Sequence, residues 1–327
     1  MTNRTEIAAL MQKSAPALLR GDAQALLKLE VDASDIAFQG LQLLAPQRVP
    51  GAAALPLVLL VQKSSLRGWE VDEERNLALA AFDPVNGQLQ VGPVLAAPAA
   101  NKTLPYNLQR PPRPPASAQR TTMVNTYRFD ARERLDLARR AGPLVLHALA
   151  WDWVSNGARV ELDADPAHRA VPAPVQPTPA TEPGRLPTYE TTQRHPPLPD
   201  AGLAFRFEPL RQGGHAVLGS FAKRASVAEV LPAPLTMATG NGPRQVVAVV
   251  HIALAVVALD STQPAIASWA VPVYGQATVK AGERIAGHFA IDLAGLTAAP
   301  LTAGQQGYLF MDDQVAGPQA VGVQSAR

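Results

Sequence analysis

Four carboxylates gather on one strip of chain if residues 151–162 fold into a hairpin. With Asn156-Gly157 as a two-residue turn, Asp152 falls opposite Glu161, and Asp163 and Asp165 continue along the same outward face with Arg159 as the nearest cation. Like charges placed directly opposite one another weaken a sheet, so this set calls for compensation. A hard cation such as Ca²⁺ provides it through oxygen ligands, which makes Asp152, Glu161, Asp163 and Asp165 the candidate metal ligands and Ca²⁺ the candidate cofactor. A solvated acidic edge that discourages strand addition explains the same residues without a metal and is the stronger expectation. Asp312-Asp313 stands in the corresponding place of a second, similar hairpin, where an acidic edge again suffices.

Other reactive groups are sparse. The chain has no Gly-x-Ser-x-Gly elbow, no phosphate-cradling Gly-x-x-x-x-Gly-Lys loop, no His-Glu-x-x-His and no Gly-x-Gly-x-x-Gly opening a helix. It also has no cysteine, which removes disulfides, thiolate metal sites and a cysteine nucleophile. No catalytic residue is assigned on these grounds, although sandwich folds can assemble sites from distant loops. Histidines stand at 147, 168, 195, 215, 251 and 288, too dispersed for a local metal motif. His147 and His251 interrupt apolar strands, which predicts hydrogen-bonded core histidines, whereas His195 lies in proline-rich sequence and should be solvated.

Ligand classes that need aromatic platforms are poorly served. Trp69, Trp151, Trp153 and Trp269 are the only tryptophans, a thin supply for sugar stacking, and Arg110, Arg113 and Arg120 lack interleaved aromatics for nucleic acid. The formal charge of +2, from 29 basic and 27 acidic residues, gives no general pull toward nucleic acid or anionic membrane. Val246 to Leu259 is the most apolar run, too short to cross about 30 Å of hydrocarbon as a helix, and its valines and isoleucine predict a buried strand. A polar start, Met1-Thr2-Asn3-Arg4, makes the cytoplasm the expected location.

The elements that position these groups are mostly strands. With 31 prolines and 23 glycines, the chain is ill suited to helical bundles, because proline removes a donor that a helix interior needs. Ile7, Leu10 and Met11 share a helical face, and Asp22 can cap a second short helix, so a helical segment is expected within residues 1–44. The period then changes to two. Strands are expected at Leu55–Gln62, Arg75–Phe82, Gln88–Val91 and Met123–Phe129, with a tight turn at Asp83–Gly87. The proposed hairpin puts His147, Leu149, Trp151, Trp153, Val160 and Leu162 on one buried side. Residues 166–200 hold ten prolines and read as a linker.

Beyond it, further short strands are expected from Leu203 onward, including Gln276–Lys280 and a closing hairpin around Gly317-Pro318. The two hairpins, Ala141–Leu162 and Ala303–Val323, follow the same plan, and Leu135-Asp136-Leu137 precedes the first as Ile291-Asp292-Leu293 precedes the second. The expected fold is therefore mainly β: a helical N-terminal segment (1–44), a first antiparallel β-sandwich-like domain (45–165), a proline-rich linker (166–200) and a second such domain (201–327).

Missing catalytic motifs, strand edges and proline-rich arms favour a non-catalytic protein-interaction or scaffold protein, an accessory subunit of a larger assembly, with a protein partner or a second copy as the ligand and neither nucleic acid nor membrane. The alternative is an enzyme or small-ligand-binding protein whose site lies between the two β units, signalled by a deep cleft lined by His215, His288 or Asp312-Asp313.

Overall fold

The computed structural model describes residues 40–51, 53–64, 77–95, 122–137, 140–150, 153–164, 178–186, 201–211, 213–258, 264–294, 301 and 304–321. The helix expected near the N-terminus falls outside them, and Gly40–Leu44, grouped with it by sequence, forms a strand.

Runs with apolar residues on one or both faces become strands because that is how they bury those faces while pairing their backbones. The first unit contains β1 (Gly40–Leu44), β2 (Arg48–Val49), β3 (Pro56–Ser64), β4 (Leu77–Phe82), β5 (Leu89–Pro93), β6 (Thr122–Asp130), β7 (Gly142–Ala150), β8 (Trp153–Val154) and β9 (Ala158–Leu162). One sheet has the order β1-β3-β6, the other β2-β9-β7-β4-β5, with β8 also on β7. The second unit contains β10 (Thr178–Pro179), β11 (Gly202–Pro209), β12 (His215–Arg224), β13 (Val230–Thr239), β14 (Gly242–Ala258), β15 (Ala265–Tyr274), β16 (Arg284–Asp292), β17 (Gln305–Met311) and β18 (Gln314–Ala320). Its sheets are β11-β12-β16 and β10-β15-β14-β17-β18, with β13 on β14. The strand orders coincide: β1-β3-β6 with β11-β12-β16, and β9-β7-β4-β5 with β18-β17-β14-β15.

Three apolar clusters stack the sheets into four layers. Leu57, Leu59 and Val61 of β3 meet Leu144, Leu146 and Val160 inside the first unit. Val217, Phe221 and Phe289 meet Ile252, Leu254 and Val271 inside the second. Gly219 leaves the space for that core, since a Cβ there would stand 2.1 Å from the Phe289 ring. The third cluster joins the units: Ala80, Phe82, Leu89 and Leu149 pack against Ala253, Ala255, Tyr308 and Phe310, with the Phe82 and Phe310 rings 6.4 Å apart. The two inner sheets are thus buried on both faces, which is why β7 and β14 carry nearly continuous apolar sequence in place of strict alternation.

The hairpins turn elsewhere than the sequence predicts. The first reverses between Ala150 and Trp153, which pair with each other, and Asn156-Gly157 lies on the returning side, between β8 and β9. β8 and β9 both pair with β7, and the register slips by one residue between Leu149↔Val154 and Leu146↔Ala158, a β-bulge. Val160 therefore faces Leu144, not Trp153. Leu144, Leu146, Ala148, Val160 and Leu162 point into the first unit's core, whereas Leu149 points toward the second unit, so the single buried side expected for 147–162 is in fact two. In the second unit the chain reverses at Asp312-Asp313, between Met311 and Gln314, and Gly317-Pro318, a cis peptide, lies in β18. There too the register slips by one residue, between Leu309↔Ala316 and Gly307↔Gln319.

The flanking motif also shifts. Asp130 Oδ1 accepts from the Arg132 and Leu55 amides, both at 2.9 Å, while Asp292 Oδ1 accepts from the Ala294 amide at 2.8 Å. Ala131 N donates to Leu55 O as Leu293 N donates to His215 O. Phe129-Asp130-Ala131, not Leu135-Asp136-Leu137, is the counterpart of Ile291-Asp292-Leu293. Within the proline-rich segment 166–200, Thr178–Leu186 is built into the second unit: β10 pairs in parallel with β15, Thr181 bridges to Ala290, and Leu186 packs on Leu210 and Leu218. Gln276–Lys280 is not strand.

Candidate functional site

Of the four candidate metal ligands, Asp152 and Asp165 lie outside the described residues. Glu161 and Asp163 stand at the edge where β2 pairs in parallel with β9, Arg48 beside Glu161 and Val49 beside Leu162. Glu161's antiparallel partner is Pro143, so the described pairing sets no carboxylate directly across from it. Arg48 reaches Asp163 Oδ1 at 2.7 Å, and the bonded carboxylate, with Glu161 adding to it, raises the arginine's already high pKa. A guanidinium thus supplies the compensation that this edge requires. Among the described residues, no group of three or more histidine, aspartate and glutamate side chains is placed to hold a metal ion.

The seam between the units gathers the two histidines that interrupt apolar strands. His147 is 2% exposed, its Nδ1 3.4 Å from Ser155 O and its ring 6.0 Å from that of Phe310 in the other unit. Nε2 has no hydrogen-bond partner among the described residues. Burial, only partly offset by the bond to Ser155, pushes its pKa down to about 4, so the ring is neutral at physiological pH. The bulge explains the fit: Gly157 passes so close that a Cβ there would stand 2.9 Å from Asp313 O and 3.0 Å from His147 Cε1. His251, on β14, is half-buried and bonded to the Val85 backbone in the β4–β5 turn; burial lowers its pKa, while that bond, Glu229 and Asp83 oppose the shift. No protein-family model matches this chain, and no curated protein does.

The residues around the bulge hold the layers together. Ser155 Oγ accepts from Ala148 N at 2.8 Å and donates to Asn156 O at 2.9 Å. The Asn156 amide then spans to the opposite sheet, accepting from Leu43 N at 2.8 Å and donating to Leu43 O at 2.9 Å. A side-chain amide here takes the place of a neighbouring strand's backbone. His215 and His288, expected to line a cleft between units, belong instead to the β11-β12-β16 sheet, which packs on the far side of the second unit's inner sheet. The apolar hollow lined by Leu254, Val256, Ala265, Ile266, Leu293 and Leu301 encloses about 10 Å³, room for at most one water.

One polar cluster was not anticipated as a unit. Lys223 Nζ donates to Glu229 Oε1 at 2.5 Å and to Asp312 Oδ2 at 3.2 Å, with only 4% of the lysine side chain exposed. Glu229 Oε2 accepts from Ser226 N at 2.7 Å. The sequence carried a signal for it: in HAVLGSFAKR, Lys223 falls on the same parity as core-facing Val217 and Phe221, and a charge on that parity must find partners. No helix among the described residues is long and apolar enough to cross a membrane.

Proposed function

We propose that this chain is a non-catalytic interaction or scaffold protein, an accessory subunit that offers one strand edge of its second unit to a protein partner. The observation that carries this reading is β13. It pairs with β14 on one side, and among the described residues no strand occupies its other side. Residues 235–238 are exposed on both faces, with Leu235 57% and Met237 37% exposed. Natural sheets guard such edges with charge, proline or bulges; here the prolines and the register shift lie between Val230 and Leu235, and residues 235–238 carry no charge. The partner that fits is an extended, uncharged segment of another protein whose backbone completes the ladder and whose apolar side chains cover Leu235 and Met237. The packed seam supports the same reading, because its interior is filled by Phe82, Leu149, Tyr308 and Phe310 where a ligand cleft would have to be.

The test is recovery of a complex by native mass spectrometry from cell lysate, comparing the wild-type chain with Leu235→Lys/Met237→Lys. A defined complex that disappears in the double variant, with an unchanged melting temperature, is the expected result. A wild-type chain that runs as a bare monomer, or a complex indifferent to both lysines, overturns it.

A further inference from the structure

The core-facing side of β12 ends on Lys223, and its amine lies against two carboxylates: Glu229 at 2.5 Å and Asp312 at 3.2 Å. Lysine and glutamate side chains are 4% and 8% exposed, and the aspartate 28%. Asp312 holds a left-handed backbone, φ 55°, in the β17–β18 turn, a conformation aspartate tolerates in tight hairpins, and from that turn its carboxylate reaches the amine.

An amine and a carboxylate pressed together in a site with little water are the two reactants of an amide. We propose that Lys223 and Asp312 condense into a side-chain amide cross-link, with Glu229 as the proton carrier. Glu229 takes a proton from the Lys223 ammonium and frees the nitrogen lone pair, which attacks Asp312 Cγ. It then returns that proton, and relays the second that the nitrogen sheds, to the departing carboxylate oxygen. The N–C bond forms, the C–O bond breaks and water leaves; ammonium plus carboxylate becomes amide plus water, with no oxidant, reductant or cofactor. Fixed juxtaposition lowers the barrier, since effective molarities for well-oriented groups reach about 10⁵–10⁸ M. The seclusion of Lys223 and Glu229 limits the water available for the reverse reaction.

The bond would tie the outer sheet of the second unit, through β12, to the inner sheet, through the β17–β18 turn. In a chain without cysteine it would serve as a disulfide does elsewhere. Lys63 holds the equivalent ladder position in the first unit, opposite Met123 as Lys223 is opposite Ile285, although the surroundings of its side chain lie outside the described residues.

Intact-mass measurement of the purified full chain decides the matter. The expected result is a mass lower than the sequence mass by one water, with a proteolytic fragment joining the Lys223 and Asp312 peptides. Lys223→Met and Asp312→Ala should each restore the full mass at this site, and Glu229→Gln should leave the two peptides unlinked. Wild-type protein at full sequence mass overturns the proposal, and so does a lost water that maps to a cyclised aspartate and not to the joined peptides. That measurement needs no variant, so it decides the question even if a substituted chain fails to fold. Unimpaired linkage in Glu229→Gln would overturn the role given to Glu229.

Discussion

Acid should loosen this protein through His147 first. An unfolded chain exposes that imidazole to water, where it protonates near its ordinary pKa of 6.5; in the folded protein burial holds it neutral down to about 4. Between those values the unfolded state binds the proton and the folded state does not, so stability falls as the pH falls from 6.5 to 4 and levels off below. A gap of that size is worth about 3 kcal/mol in full, and about 2 kcal/mol by pH 5. His251 adds to the loss in the same direction. The groups facing His147 cannot absorb the charge: Phe310 presents a ring, Nε2 has no acceptor among the described residues, and Gly157 packs against the ring with no side chain to offer. Urea unfolding followed by tryptophan fluorescence from pH 7 to pH 4.5, on the wild type and on His147→Leu, isolates the effect. The variant should lose about 2 kcal/mol less than the wild type over that interval, because leucine has nothing to protonate. Parallel pH profiles for the two proteins would refute the placement of His147 in a dry seam.

Phe310→Ala removes a ring that is 1% exposed and touches both Phe82 and His147, at a cost of about 3–5 kcal/mol; calorimetry should show the single transition broadening or splitting as the two units uncouple. Asn156→Ala leaves Leu43 N and O without their partner and should cost about 1–3 kcal/mol in urea unfolding, with β1 amides exchanging faster. Arg48 already neutralises Asp163, so chelator or added Ca²⁺ should leave the melting temperature unchanged, and a Ca²⁺-dependent rise would reinstate the carboxylates at 161 and 163 as ligands.

Period-two alternation located most strands because their polar positions point to solvent or their apolar ones to a single core. Leu55–Gln62 and Met123–Phe129 correspond to β3 and β6 within a residue or two, and Asp83 makes the expected turn by accepting from the Val85 and Asn86 amides. Where a sheet is buried on both faces the signal degenerates. The GPLVLHALA of β7 cannot say which residues face which neighbour, and a one-residue bulge at 155–157 reversed the parity that a regular hairpin would have kept. Asn156-Gly157 misled for a physical reason: the pair is well suited to a turn, but here glycine is required by the close approach of His147 and Asp313, and the asparagine by Leu43. The two prolines of β13 argue against a central strand, and the strand is an edge. The Lys223 cluster joins residues 89 positions apart, a distance over which local pattern carries no information about contact.

The seam itself has the form of a contact between two copies of one unit. The ladders fix which positions correspond: Ala80 pairs with His147 and Val91 as Ala255 pairs with Tyr308 and Ile266, and Ala78 pairs with Leu149 as Ala253 pairs with Phe310. Those same positions build the joint cluster from both sides: Ala78 and Ala253, Ala80 and Ala255, Phe82 and Val257, Leu149 and Phe310, Val91 and Ile266. Each unit therefore presents the same patch to the other, the self-complementary arrangement of an isologous dimer interface, here within one chain. The alanines at the centre let the sheets approach, and the larger residues around them differ between units: Phe82 stands where the second unit has Val257, and Phe310, whose ring meets that of Phe82, stands where the first has Leu149. His147 departs from this correspondence in one respect, because its counterpart in the other ladder, Tyr308, is a phenol and not an imidazole. Protonating His147 in mild acid therefore places a charge beside Phe310 on the first unit's side and weakens the two-unit contact there, while His251 on β14 adds to the loss from the second unit's side.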